Sequence, residues 1–189
     1  MPLQMHRSAD GHRLVTGGLS SSNLYDRDKV RTIELWFDEP NYLDLLFNNF
    51  TDKTDLGALM IYNGDTLKHQ VGVRYKGFSS FLFNSTDKYS FNISLDFASE
   101  DQRLKGYQTL NLHNGFEDPS SCREVLYLDL IRQHIPAAQG NFVRVLLNGV
   151  DKGIYTNVQQ MYNTVMYRGY QNGKRVKKIV DYKPTYYIP

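Results

Sequence analysis

Arg74 and Lys76 sit two residues apart at the end of an apolar run, Gly77, Ser79 and Ser80 follow at once, and Lys88 comes after a polar loop. Glycine lets backbone amides approach an anion, serine hydroxyls donate to oxygens, and the cations supply charge, so this set has the chemistry to cradle phosphates. It is not the GxxxxGK(S/T) phosphate loop, and the same spacing suits a solvated hairpin with a glycine turn, the reading that spacing alone favours. Glu117, Asp118 and Arg123 form a second group, in which Asp118 reads as a helix cap and Arg123 as a side chain able to reach into a site.

Other chemistries are poorly supplied. The histidines His6, His12, His69, His113 and His134 form no HExxH pattern, and serine, histidine and acid fall into no nucleophile motif. Cys122 is the only cysteine, which excludes an intrachain disulfide, a zinc–cysteine cluster and a CxxC redox pair. Asp26 and Asp28 read as surface charges.

The elements that must position these groups follow from hydrophobic period. Residues 30–37 alternate as a half-buried strand, and Pro40 opens a short helix carrying Tyr42, Leu43, Leu46 and Phe47. Strands are expected at 58–62, 71–75, 89–95 and around Leu110 and Leu112, with Asn63-Gly64 as a turn inside a connection longer than a two-residue hairpin. Asp118 followed by Pro119 predicts a helix start, with an apolar stripe running to about His134. Val143, Val145 and Leu147 then alternate, Asn148-Gly149 marks a hairpin turn, and residues 153–158 return. The fold class expected is α+β, an antiparallel-rich sheet with one or two packed helices. Residues 1–25 read as a flexible lead-in outside the core, 26–161 as the domain, and 162–189 as a basic tail.

A chain of 189 residues with 41% hydrophobic content and 13% aromatic content can bury one core without disulfides or metals. The net charge is +2, of which the part after Gln160 carries +5 from six basic residues and Asp181. The body is therefore mildly acidic, which argues against a nucleic-acid reader with its basic footprint on the folded surface. No continuous apolar run opens the chain, so no signal peptide or membrane anchor is expected, and the cytoplasm is the default compartment.

Four blocks in order carry a family resemblance: VGVRYKGFSS at 71–80, KYSFNIS at 88–94, LNLHNGFEDPSSCREVL at 110–126 and NFVRVLLNGVDKGIY at 141–155. Together they resemble the amino-terminal part of CotH-type kinases, a family known from a spore-coat protein kinase, over roughly residues 30–161. The resemblance implies the first lobe of an atypical protein-kinase-like fold, ATP with magnesium as cofactor, and a protein substrate. It implies that Lys88 contacts phosphate, that Arg74, Lys76, Gly77, Ser79 and Ser80 lie near the phosphates, and that Arg123 organises that face. Gln159 and Gln160 stand where many members carry glutamate. The family's later stretch resembling Trp-Asp-Tyr-Asp has no match here, so no catalytic or metal-binding residue is assigned, and the chain is expected to be truncated before those acids. The partner implied is a protein substrate, the missing second lobe, or a second copy through an exposed apolar face. The rival expectation is a non-catalytic protein- or ligand-binding module on the same fold.

Overall fold

Side-chain alternation along the strands decides the architecture, because each strand turns one apolar row toward a shared interior. The computed structural model describes residues 3–7, 13–17, 24–134 and 137–161. Its strands are β1 (Leu3–Arg7), β2 (Arg13–Gly17), β3 (Arg31–Trp36), β4 (Leu56–Tyr62), β5 (Asp65–Thr66), β6 (Val71–Lys76), β7 (Ser90–Ser94), β8 (Thr109–His113), β9 (Gly140–Leu147) and β10 (Val150–Gln159). Three helices interrupt them: α1 (Tyr42–Asn48), α2 (Phe78–Leu82) and α3 (Arg123–Ile131). The residues read as a basic tail, 162–189, lie outside the described residues, as does any second-lobe start there.

Seven strands close into a barrel in the order β3-β9-β10-β8-β7-β6-β4, and β4 pairs back onto β3. The β3–β9 pairing is parallel and every other pairing in the ring is antiparallel, while β5 hangs on the edge of β4. Ile33, Met60, Val73, Ile93, Leu110 and Val145 are fully buried inside. β1 and β2 pair separately as an antiparallel hairpin within the stretch read as a lead-in. Leu24 and Tyr25, also placed in that lead-in, are 1% and 4% exposed and belong to the barrel core.

The expected fold class is corrected by this closure. The chain is mainly β, a closed mixed barrel, and not an α+β kinase-like lobe made of an antiparallel-rich sheet with one or two packed helices. The helices contribute only Leu46 and Val125 as buried residues. The apolar stripe expected to bury α3 is largely outside: Leu126, Tyr127 and Leu130 are each at least 60% exposed. Closure depends on β3 meeting both β4 and β9, the latter some 110 residues away in register, and alternation specifies which face is buried but not which edge finds which partner.

Local turn chemistry behaves as its residues dictate. Asn148 and Gly149 both take positive φ, 44° and 81°, and join β9 to β10 through a two-residue hairpin. The Asn148 side chain also bridges the end of β3, accepting from the Phe37 amide at 2.7 Å and donating to the Phe37 carbonyl at 3.1 Å. Asn63-Gly64 makes an equivalent turn to β5, so the long connection expected between β4 and β6 contains a short hairpin of its own. At the start of α3 the expected cap is displaced. Asp118 accepts from the Arg123 amide at 2.9 Å and from Ser120, holding a turn ahead of the helix, and Ser121 at φ 53° keeps residues 118–121 out of helical geometry.

Candidate functional site

Outside the barrel, the strands β6, β7, β8 and β10 present a polar face where water-facing residues would ordinarily be solvated. Arg74 pairs with Asn92, Asn92 with Asn111, Lys76 with Ser90, and His113 with Thr156. Asn92, Asn111, Ser90 and Thr156 are nevertheless buried, between 3% and 7% exposed. Buried amides and hydroxyls are expensive unless they are hydrogen-bonded, so the side chains lie in a network.

Lys76 is its centre. The ammonium donates to Asn111 Oδ1 at 2.8 Å and lies 3.2 Å from His113 Nε2, while His113 Nδ1 meets Glu124 Oε2 at 2.7 Å. An ammonium has only protons to offer, so Nε2 is the accepting nitrogen and the proton of a neutral His113 sits on Nδ1, directed to Glu124. This relay ties α3 to the sheet. Burial pushes the Lys76 pKa below the ordinary lysine value, with the Glu124 carboxylate pulling it back up and Arg74 adding to the fall.

Two cavities meet at this lysine. A cleft of about 470 Å³ is walled by Lys76, Gly77, Ser80, His113, Glu117 and Arg123. A second, of about 700 Å³, runs from Lys76 and Gly77 toward Arg74, Asn92, Phe81 and Gln160. Gly77 has φ 84° and its carbonyl accepts from Phe81 N at 3.0 Å and from the Ser80 hydroxyl at 3.3 Å, which bends the chain sharply between the cavities.

The residues singled out by sequence are thus divided. Arg74, Lys76, Gly77, Ser80 and Arg123 come together around the two cavities, although Arg74 is committed to Asp55 at 2.5 Å. Arg123 is 73% exposed in its side chain, donates to the Glu117 carbonyl at 3.1 Å and lies 3.6 Å from Asp118. Ser79 is exposed and lines neither cavity. Lys88 lies apart from both: its ammonium donates to the Ile154 carbonyl at 2.7 Å and sits 4.7 Å over the Tyr155 ring. Asn92, Asn111, His113, Glu124 and Gln160 were not singled out as site residues. The signal available was asparagine at outward positions of strands whose inward residues are fully apolar, an uncommon choice in strands. Among the described residues no cluster of three or more histidine, cysteine, aspartate or glutamate side chains could hold a metal ion.

The sequence model of the family described as CotH kinase protein matches residues 73–181, more than half of the chain. The chain belongs to the CotH kinase protein family. The match contains every one of the site residues from Arg74 to Gln160, so the relay around Lys76 is built from the part of the chain that carries the CotH likeness. No curated protein matches this CotH-family chain. Among the described residues no helix is long and apolar enough to cross a membrane.

Proposed function

We propose that this CotH-family chain binds the phosphates of ATP on the outer face of the barrel, as the nucleotide-holding part of an ATP-dependent protein kinase. The observation that carries the reading is the half-buried Lys76, held by Asn111 and by the His113–Glu124 relay at the wall of the 470 Å³ cleft. Two of its three protons have acceptors in the protein and the third remains for a ligand oxygen. A charge held in a partly desolvated wall attracts phosphate more strongly than one in water. Arg123 lines the same cleft and supplies a second, exposed charge, and Gly77 and Ser80 line it as well.

These residues fit a polyphosphate. They do not offer a protein cage for magnesium: Asp118 is occupied by Ser120 and Arg123, Glu124 by His113, and no cluster of three ligands exists among the described residues. The described residues on this reading bind and orient, and none is assigned the proton transfer or metal binding that phosphoryl transfer needs.

A second reading is a non-catalytic module that holds a protein, or a second copy of itself, on the same fold. It draws on Phe78, Leu82 and Phe83, which are 71%, 54% and 70% exposed beside the larger cavity. Thermal-shift titration with ATP and with tripolyphosphate, with and without magnesium, on wild type, Lys76→Met and Lys88→Ala separates the two. A ligand at 100 times its dissociation constant stabilises the folded state by about 2.7 kcal/mol. The phosphate reading expects that gain in wild type, its loss in Lys76→Met and its retention in Lys88→Ala. Loss in Lys88→Ala alone moves the phosphate contact to Lys88, and no shift at millimolar ligand leaves the binding module.

A further inference from the structure

At the far end of β6 and β7 from Lys76 lies a cavity of about 610 Å³. Register sets it apart from the phosphate cleft, because Lys76 faces Ser90 at one end of the strand pair and Gly72 faces Ser94 at the other. The connections 67–70 and 95–108 leave from that second end, roughly 13 Å of strand away from Lys76. The cavity is lined by Arg31, Lys68, Arg103 and Lys105 against Asp65 and Asp101, so cations outnumber carboxylates two to one on a body that is mildly acidic.

These cations are positioned without being neutralised. The Arg31 side chain is only 10% exposed, and it meets the Leu24 carbonyl at 3.4 Å and Asp26 Oδ2 at 3.5 Å, both long contacts for a guanidinium. Arg103 donates through Nη1 to the Glu100 and Gln102 carbonyls at 2.6 and 2.7 Å, neutral partners that pin the group and leave its charge. Lys68 and Lys105 are exposed and form no ion pair among the described residues. Gln102 ties the two connections into one frame. Its Oε1 accepts from the His69 amide at 2.8 Å, and its Nε2 donates to the His69 carbonyl at 3.0 Å and the Leu95 carbonyl at 2.7 Å. Lys105 and Gly106 form a two-residue turn at φ 51° and 88°, closed by paired backbone bonds between Leu104 and Tyr107 at 3.0 and 2.9 Å. Asparagine is the residue such a turn favours, and lysine there carries left-handed strain while setting an ammonium at the tip.

We propose that this cavity binds an acidic peptide segment of a partner protein, its carboxylates set against Arg31, Lys68, Arg103 and Lys105 and its backbone amides donating to Asp65 and Asp101. Charge complementarity selects the occupant. The two aspartates among the cations repel a compact polyphosphate, whereas a peptide brings N–H donors for them along with its acids. The frame held by Gln102 is formed before the ligand arrives, which lowers the ordering that binding requires. The inference stands apart from the phosphate reading of the Lys76 cleft.

The probe is hexaglutamate, with hexaglutamine as its neutral control, titrated into the isotope-labelled full chain and read by backbone amide chemical shifts. Arg31 also holds Asp26 and Leu24, so the substitutions are placed on the exposed lysines: Lys68→Gln together with Lys105→Asn, which keeps a residue the turn favours. Saturating shifts are expected at residues 65–69 and 99–105 with hexaglutamate and none with hexaglutamine. In the double variant the affinity read at those amides should fall about fivefold, the effect of two exposed charge pairs. Shifts confined to residues 71–80 and 111–124, or to 162–189, overturn the proposal, as does an unchanged affinity in the double variant. Equal binding of hexaglutamine overturns the role of charge. Citrate binding as tightly as hexaglutamate makes the occupant a small polycarboxylate and overturns the peptide. None of these outcomes bears on the Lys76 cleft, which tripolyphosphate and Lys76→Met test separately.

Discussion

Glu124→Gln isolates the electrostatic part of the relay while keeping its shape. The carboxylate receives the His113 Nδ1 proton at 2.7 Å and acts through that imidazole on the Lys76 ammonium, whose pKa it raises against the larger lowering by burial. Across one ring, at an effective dielectric between that of a protein surface and water, the Glu124–Lys76 attraction is about 1 kcal/mol. Removing it lets the Lys76 pKa fall further. Phosphate binding that requires charged Lys76 should then lose affinity at a lower pH, with the alkaline limb of the binding profile displaced downward. Glu124 is 40% exposed, so the lost charge-assisted bond should cost the fold no more than about 1 kcal/mol. Tripolyphosphate affinity measured by calorimetry between neutral and alkaline pH, in wild type and variant, checks the displacement. An unmoved or upward-moved alkaline limb, in a variant of native stability, would refute the coupling of Glu124 to Lys76.

Three further outcomes follow from the same structure. Leu110→Ala, at a position fully buried inside the barrel, should lower stability by about 2–5 kcal/mol, read as a fall in the urea midpoint with an unchanged slope. Asn148→Gly keeps the positive φ but loses both bonds to Phe37 and should cost about 1–3 kcal/mol in urea unfolding; Asn148→Ala should cost more, because it adds left-handed strain. Burial holds the pKa of Lys76, and of Lys88, below the unfolded value near 10.5, so the unfolded chain binds more protons between the folded and unfolded values. Stability should therefore rise as pH climbs through that window, and Lys76→Met should remove part of the rise in urea titrations at successive pH values.

Much of this protein is local and was open to inspection in the chain itself. Val71, Val73 and Tyr75, or Leu110 and Leu112, announce strands with one buried face because strand side chains alternate. Asn148-Gly149 announces a hairpin because both residues tolerate the left-handed region that a two-residue turn requires. The clustering of Arg74, Lys76, Gly77 and Ser80 was also legible, being a matter of neighbours in sequence. Asp118 was recognisable as a capping residue, but where the helix began depended on Ser121 leaving helical geometry after it.

Barrel closure and the identity of the central lysine belong to tertiary structure. β3 meets β9 across most of the chain, and no pattern within either strand names the other as partner. The choice between Lys76 and Lys88 is of the same kind. Both are lysines near the end of a strand, yet one is brought by strand register beside Asn111, His113 and Glu124, and the other is drawn to the Ile154 carbonyl and the Tyr155 ring. Short-range pattern determines which way a side chain points from its strand. What it meets there is determined by pairings between distant segments, whose free energies are earned only when the whole ring of strands closes.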